Sequence, residues 1–83
     1  MPWSLELTRP ARKDIEGLSP HDRAAVVEAI DRLLNDPGEV DIKKLGGTEW
    51  RLRVGRWRVR FEMDSRAGVL RILRVLARKE AYR

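Results

Sequence analysis

The alternation of apolar and polar residues divides the first half of the chain into one strand and two helices. Residues 3–7 alternate with a period of two, which predicts a short, half-buried strand. Two segments with helical spacing follow, at 9–18 and 20–35. Thr8 and Ser19 are typical N-caps, and each precedes a proline in the first turn. The pattern predicts a helical hairpin after the first strand.

The second half of the chain has the period of strands. After a predicted linker at 39–47, residues 50–54 and 57–63 alternate around a two-residue loop, Gly55-Arg56, which predicts a β-hairpin. Residues 69–76 are apolar on both faces apart from two arginines, as in a central strand. The chain is therefore predicted to be one α+β domain, residues 1–83, in the order β-α-α-β-β-β.

The short hairpin loop fixes which residues share a face, because directly opposed residues project to the same side of a sheet. One face is then apolar and carries Trp50, Leu52, Val54, Trp57, Val59 and Phe61, whereas the other carries Arg51, Arg53, Arg58 and Arg60. Opposed like charges destabilise a sheet by tenths of a kcal/mol to about 1 kcal/mol per pair. The arginines therefore indicate a role outside folding, although a solvated face with scattered acidic partners remains an alternative.

Charge is distributed unevenly along the chain. Residues 1–42 contain five Lys/Arg and nine Asp/Glu, a net charge of −4, whereas residues 43–83 contain thirteen and four, a net charge of +9. Most of the thirteen are arginine, which stays ionised and binds phosphate with two parallel hydrogen bonds. A polyanion, above all a nucleic acid, is the expected partner.

Composition excludes several classes of protein. The chain has no cysteine, which excludes disulfides, thiolate zinc sites and a cysteine nucleophile. No apolar run approaches the length of about 20 residues that a membrane helix needs. The N-terminal segment also lacks the pattern of a secretory signal. We therefore expect a cytoplasmic protein without membrane association.

Four short motifs carry a resemblance to a known family. They are Lys44-Leu45-Gly46, Arg51-Leu52-Arg53, Gly55-Arg56-Trp57-Arg58-Val59 and Arg78-Lys79-Glu80-Ala81-Tyr82. In this order, after a helical hairpin, they resemble the RelE/ParE toxin superfamily of type II toxin–antitoxin systems, with RelE-like ribonucleases as the nearest branch. The resemblance covers the whole chain and implies a helix pair packed on a curved, mainly antiparallel sheet.

The resemblance also implies an activity and a set of residues. RelE-like toxins cleave mRNA on the ribosome by attack of the ribose 2′-hydroxyl, without metal or cofactor. Arg51 and Arg53 match residues that hold the scissile phosphate, and Arg58 matches an arginine that clamps the same phosphate. Arg78 matches a group that protonates the leaving oxygen or stabilises its charge. Tyr82 matches the base, or a group that orients the base. Further cations expected to bind RNA are Lys43, Lys44, Arg60, Lys79 and Arg83. The implied partners are a cognate antitoxin, mRNA and the ribosome.

The chain departs from the family pattern at its acid–base groups. Many relatives have His or Lys at the position of Ala77, and the one histidine, His21, is predicted to be a solvated residue at a helix start. Glu49, Glu62 and Glu80 could supply a base, but surface or ion-pair roles are favoured for each. Two alternatives therefore stay open: a ParE-like inhibitor of DNA gyrase, and a basic RNA- or ribosome-binding protein without catalysis.

Overall fold

The computed structural model describes residues 3–81. Its strands and helices are β1 (Ser4–Leu7), α1 (Arg9–Glu16), α2 (Pro20–Asn35), β2 (Ile42–Gly46), β3 (Glu49–Val54), β4 (Trp57–Asp64), β5 (Val69–Ala77) and α3 (Arg78–Ala81), with a 3₁₀ turn at Pro37–Glu39. The strands form one five-stranded sheet in the order β1-β5-β4-β3-β2. Among the strands of residues 3–81, only β1 and β5 are parallel. The predicted α+β class, a helix pair on a mainly antiparallel sheet, is confirmed.

The sequence prediction missed β2, which lies inside the segment predicted as a linker at 39–47. This strand pairs with β3 at the edge of the sheet and exposes Lys43, Lys44 and Leu45. An edge strand with two lysines has little apolar alternation, and such charges are a common device against edge-to-edge aggregation. Its strand character therefore comes from pairing with β3.

Helix α1 starts where β1 ends and covers the adjacent edge of β5. Thr8 caps the helix by accepting a hydrogen bond from the Ala11 N–H at 3.2 Å, and its hydroxyl donates to the Leu73 carbonyl at 2.8 Å. Asp14 then accepts from the Val75 N–H at 2.9 Å. Side chains thus satisfy backbone groups of β5 that β1 is too short to reach.

The core lies between the helices and one face of the sheet. Its buried side chains are Ala11, Leu18, Val26, Ile30, Leu33, Leu52, Val59, Phe61, Leu70, Ile72 and Val75. Trp50 and Trp57 are half-buried and pack against this cluster. The prediction that the aromatic residues of the hairpin belong to the core face is therefore confirmed. No helix in the described part of the chain is long and apolar enough to cross a bilayer.

A β-bulge changes the register in the middle of β5. Asp64 pairs with Val69 and Phe61 with Ile72, but the next residue of β4, Arg60, pairs with Arg74. Leu73 is the extra residue, so the side chains beyond it are shifted by one position. The bulge brings Arg74 opposite Arg60 on the face of the sheet away from the core.

Candidate nucleic-acid interface

The face of the hairpin away from the core carries the four arginines that the sequence predicts there. Arg51 pairs with Arg60 and Arg53 with Arg58, so all four share one side of β3 and β4. We call these four residues the arginine face. The cross-strand pairs Lys43–Arg51, Arg51–Arg60 and Arg60–Arg74 continue across β2 to β5 as a row of four cations.

Two acidic side chains relieve the repulsion within this row. Glu49, diagonal to Arg60 across the β3–β4 pair, accepts a hydrogen bond from the Arg60 Nε at 2.7 Å and also pairs with its Nη2. Asp14 of α1 accepts from the Arg74 Nε at 2.8 Å. The alternative of scattered acidic partners therefore holds for Arg60 and Arg74, at one side of the row.

Arg58 is held differently, because its charge is buried against backbone carbonyls. The side chain is only 2% exposed. Its Nη1 donates to the Gly55 carbonyl at 2.8 Å and to the Trp57 carbonyl at 2.9 Å. Its Nε has no hydrogen-bond partner among residues 3–81. A guanidinium buried without a carboxylate is costly for folding, and it is fixed in place before any anion binds.

The loop between β3 and β4 also holds the start of the C-terminal helix. The Arg56 carbonyl accepts from the Arg78 N–H at 2.7 Å, so Arg58 and the first residue of α3 contact one short turn. The Arg56 side chain lies over the Trp57 ring at 5.0 Å and donates to Asp22 of α2 at 3.2 Å. The loop therefore connects the arginine face, α3 and α2.

The environment of Asp22 shifts its ionisation. Partial burial raises the pKa of this carboxyl, but the nearby Trp57 indole N–H, the hydrogen bond from Arg56 and the charge of Arg56 act in the other direction and prevail. The pKa of Asp22 therefore lies below its ordinary value of 3.8. The carboxylate stays ionised and keeps its bond to the loop at neutral pH.

The sequence of the chain matches a family of toxins. The family model for the ParE toxin of type II toxin–antitoxin systems, parDE, matches residues 5–82. The chain belongs to the RelE/ParE toxin superfamily. It is 36% identical to Toxin RelG of Mycobacterium tuberculosis over 87 residues, which cover 100% of this chain and 99% of that protein.

Solved structures of RelE/ParE toxins have the same fold. The toxin in the archaeal RelE–RelB complex of Pyrococcus horikoshii superposes with a TM-score of 0.82 at 25% identity, covering 94% of this chain and 97% of that one. The toxin–antitoxin complex RelBE2 of Mycobacterium tuberculosis gives 0.80 at 32% identity, covering 93% and 99%. The similarity thus extends over nearly the whole toxin domain.

The structure of this RelE/ParE toxin brings together only some of the residues that the sequence predicts as a site. Lys43 and Arg53 are exposed beside the half-buried Arg51. Arg78 and Lys79 are exposed on α3. Lys44 is not on this face, because it pairs with Trp50 on the core side, with its Nζ 6.0 Å from the ring centre. Tyr82 and Arg83 lie outside the described residues.

The far end of the same face is occupied by ion pairs. Arg71 donates to Glu6 at 3.0 Å and lies 3.6 Å from Glu62, which also accepts from the Thr48 hydroxyl. The hydrogen bond and charge of Glu6 raise the pKa of Arg71 above its ordinary value. Glu49 and Glu62, which the sequence left as spare carboxylates, are thus engaged in ion pairs.

Other groups with acid–base or ligand chemistry lie away from the arginine face. His21 is exposed in the first turn of α2, as predicted. Within residues 3–81, no group of three or more His, Cys, Asp or Glu side chains is placed to hold a metal ion.

Sequence reasoning missed Arg74 as a member of the cation row. Counting back from the β4–β5 turn without a bulge would place Leu73, not Arg74, opposite Arg60. Only the extra residue in β5 brings the arginine into line. The sequence contains one sign of the bulge: Arg71 and Arg74 are three residues apart, and residues three apart point to opposite faces of a regular strand.

Proposed function

We propose that this RelE/ParE-family toxin is a metal-independent endoribonuclease that cleaves mRNA on the ribosome. The observation that carries the proposal is the pairing of Arg53 with Arg58 at the end of the arginine face, where Arg58 is fixed by the loop that also holds the N–H of Arg78. Fixed cations at one point suit a reaction in which negative charge develops on phosphorus.

The reaction transfers a phosphoryl group within the RNA chain. The 2′-oxygen of one nucleotide attacks the adjacent phosphorus, the bond from phosphorus to the 5′-oxygen of the next nucleotide breaks, and a 2′,3′-cyclic phosphate and a 5′-hydroxyl remain. A base removes the proton of the 2′-hydroxyl, and an acid protonates the departing oxygen.

The side chains divide these roles by position and chemistry. We assign the scissile phosphate to Arg51 and Arg53. Arg58, held by the Gly55 and Trp57 carbonyls, is assigned to stabilise the developing charge through its fixed positive charge from beneath the surface. Arg78 stabilises the leaving oxygen by its charge, because an arginine pKa above about 12 makes proton donation inefficient at neutral pH. Tyr82 is assigned as the base or the group that orients it.

Binding of the RNA backbone outside the scissile phosphate falls to the neighbouring cations. Lys43 extends the row on the β2 side, and Lys79 follows Arg78 on α3. The sequence also suggested Lys44, Arg60 and Arg83 as RNA contacts. Lys44 lies on the other face and Arg60 is paired with Glu49, so neither is assigned a phosphate of the RNA. A ribosome-bound mRNA places this work in the cytoplasm.

A cognate antitoxin is the second proposed partner. The solved relatives include a RelE–RelB complex and the complex RelBE2. The basic half of this chain, with a net charge of +9, favours an acidic or charge-complementary segment. We expect such an antitoxin to cover the arginine face or to displace the segment that carries Tyr82. Hydrogen exchange on the co-expressed pair tests this: protection limited to α2 would contradict it.

The proposal is tested by inducible expression in a bacterium with mapping of RNA 5′ ends, beside a DNA supercoiling assay. Wild type should arrest growth and cut transcripts, and Tyr82→Phe should lose cleavage while RNA binding stays nearly intact, since only a hydroxyl is removed. An unaltered Tyr82→Phe phenotype at matched expression would contradict the assignment of Tyr82. Loss of supercoiling without transcript cleavage would contradict the ribonuclease itself.

One observation favours a second candidate, a ParE-like inhibitor of DNA gyrase, because the matching family model is that of ParE toxins. The ribonuclease is preferred because Arg58, Arg78 and Tyr82 occur together in the chain, and because the similar proteins include Toxin RelG and the toxin of a RelE–RelB complex. A non-catalytic RNA- or ribosome-binding protein would use the same arginines for affinity alone.

A further inference from the structure

The two ends of the outer sheet face differ in how their cations are engaged. Within residues 3–81, neither Lys43 nor Arg53 has an acidic partner, and Arg58 is bonded to carbonyls. At the other end the row Glu49–Glu62–Arg71–Glu6 crosses β3, β4, β5 and β1, with ion pairs linking its members to each other or to Arg60. The outer face is therefore cationic at the end near the β3–β4 loop, and its charges are neutralised by ion pairs at the other end.

Arg60 lies at the boundary between these ends. It is opposed by Arg51 on one side and Arg74 on the other, so its position favours an anionic neighbour. Glu49 supplies that neighbour and engages both the Nε and Nη2 of Arg60. A phosphate approaching Arg60 would have to replace this carboxylate and would meet its negative charge.

We propose that Glu49 limits the RNA-binding surface by keeping Arg60 in an ion pair, so that the phosphate backbone is held at the hairpin end of the arginine face. This inference rests on the proposed function, because it concerns the same RNA. It assigns Glu49 a role in the size and placement of the RNA footprint and none in proton transfer. Arg60, which the sequence suggested as a direct RNA contact, is withheld from RNA in the wild-type protein.

Binding of an uncleavable RNA measures the number of phosphate contacts directly. The probe is a single-stranded 12-nucleotide 2′-O-methyl RNA, titrated at several salt concentrations, because each phosphate contact on a single strand contributes about 0.7 to the slope of log affinity against log salt. Glu49→Gln should steepen the slope by about 0.7. A tenfold reduction in salt should then raise the affinity of the variant about fivefold more than that of wild type.

The matched control is Glu28→Gln on α2. It makes the same change of net charge and also releases an arginine, since Glu28 pairs with Arg32 at 3.0 Å on α2 rather than on the outer face of the sheet. An equal steepening in both variants would mean that net charge alone is responsible, and would overturn the proposal. The double variant Glu49→Gln/Arg60→Gln should return the slope to that of wild type.

A second variant tests the proposal even if Glu49→Gln does not fold. Arg60→Gln in the wild-type background should leave the slope unchanged, because Arg60 makes no phosphate contact while Glu49 holds it. A slope reduced by about 0.7 would show that Arg60 already binds RNA and would overturn the proposal.

Cleavage of ribosome-bound mRNA by the same proteins separates this inference from the proposed function. Glu49→Gln with wild-type binding but no cleavage would place Glu49 in the chemistry and contradict the inference. Steepened binding by Glu49→Gln, with no cleavage by any form of the protein, would support the inference about Glu49 while contradicting the ribonuclease.

Discussion

The two faces of the β3–β4 hairpin are made by the same strands and have opposite relations to stability. The core face buries Leu52, Val59 and Phe61 at 0–1% exposure, and burial of such side chains contributes roughly 1.5–3 kcal/mol each. The outer face opposes Arg51 with Arg60 and Arg53 with Arg58, which costs up to about 1 kcal/mol per pair. The core face thus offsets a cost that the outer face imposes.

Substitutions on the two faces should therefore separate folding from activity. A core substitution should lower stability and reduce activity only through the amount of folded protein. An arginine substitution on the outer face should leave stability nearly unchanged or raise it, and should reduce cleavage or binding per folded molecule.

The largest expected effect is on the core face. Phe61→Ala removes a fully buried ring, which should lower the free energy of unfolding by about 3–5 kcal/mol. Urea unfolding measures this loss. Arg53→Ala on the exposed face of the same hairpin is the control and should stay within about 0.5 kcal/mol of wild type. A comparable loss in both variants would remove the distinction between the two faces.

Next in size is the effect of the buried arginine on cleavage. Arg58→Ala removes a fixed cation and should lower the cleavage rate about 10²–10³-fold, the range found on removing one preorganised donor. Single-turnover cleavage at saturating RNA measures the rate. Arg66→Ala, in the exposed β4–β5 loop at the opposite end of the sheet, should cleave at the wild-type rate. Equal losses of rate in both variants would mean that Arg58 contributes only to the overall positive charge of the protein and does not stabilise the transition state.

A smaller effect is expected on binding alone. Arg53→Ala removes an exposed cation of the arginine face and should make the salt dependence of single-stranded RNA binding shallower by about 0.7, one phosphate contact. Arg66→Ala again provides the comparison at the same net charge. Identical salt dependences for the two variants would show that RNA does not distinguish the hairpin end of the face.

The smallest effect concerns the anchor between the hairpin loop and α2. Because the pKa of Asp22 is lowered in the folded state, its contribution to stability is fully present above the unfolded-state pKa and disappears as pH falls through the folded-state pKa. Wild type should therefore lose its stability advantage over Asp22→Asn below about pH 4. Urea unfolding at neutral and acidic pH measures this, with Asp31→Asn on the exposed side of α2 as control. If the free energies of unfolding of wild type and Asp22→Asn differ by the same amount at all pH values, the ionised carboxylate is not the source of the difference.

The sequence predicted the hairpin well because its information is local. A two-residue loop and strict alternation set the register, and Arg53 does oppose Arg58. Strand β2 has no apolar alternation to reveal it and forms by pairing with the adjacent β3. The bulge at Leu73 depends on contacts between distant segments, those of Thr8 and Asp14 with β5. The site shows the same division: the shared face was predictable, whereas the engagement of Arg60 by Glu49 and the burial of Arg58 required the assembled sheet.

The central claim is that the arginine face performs metal-independent cleavage of RNA by its own 2′-hydroxyl. Its most direct test is the chemistry of the new ends made by the purified toxin on ribosome-bound mRNA. The account predicts a 2′,3′-cyclic phosphate and a 5′-hydroxyl at each cut with wild type, and neither with Arg58→Ala at the same exposure time. A 5′-phosphate and a 3′-hydroxyl at the cuts would contradict it, because attack by water in place of the 2′-hydroxyl leaves those ends.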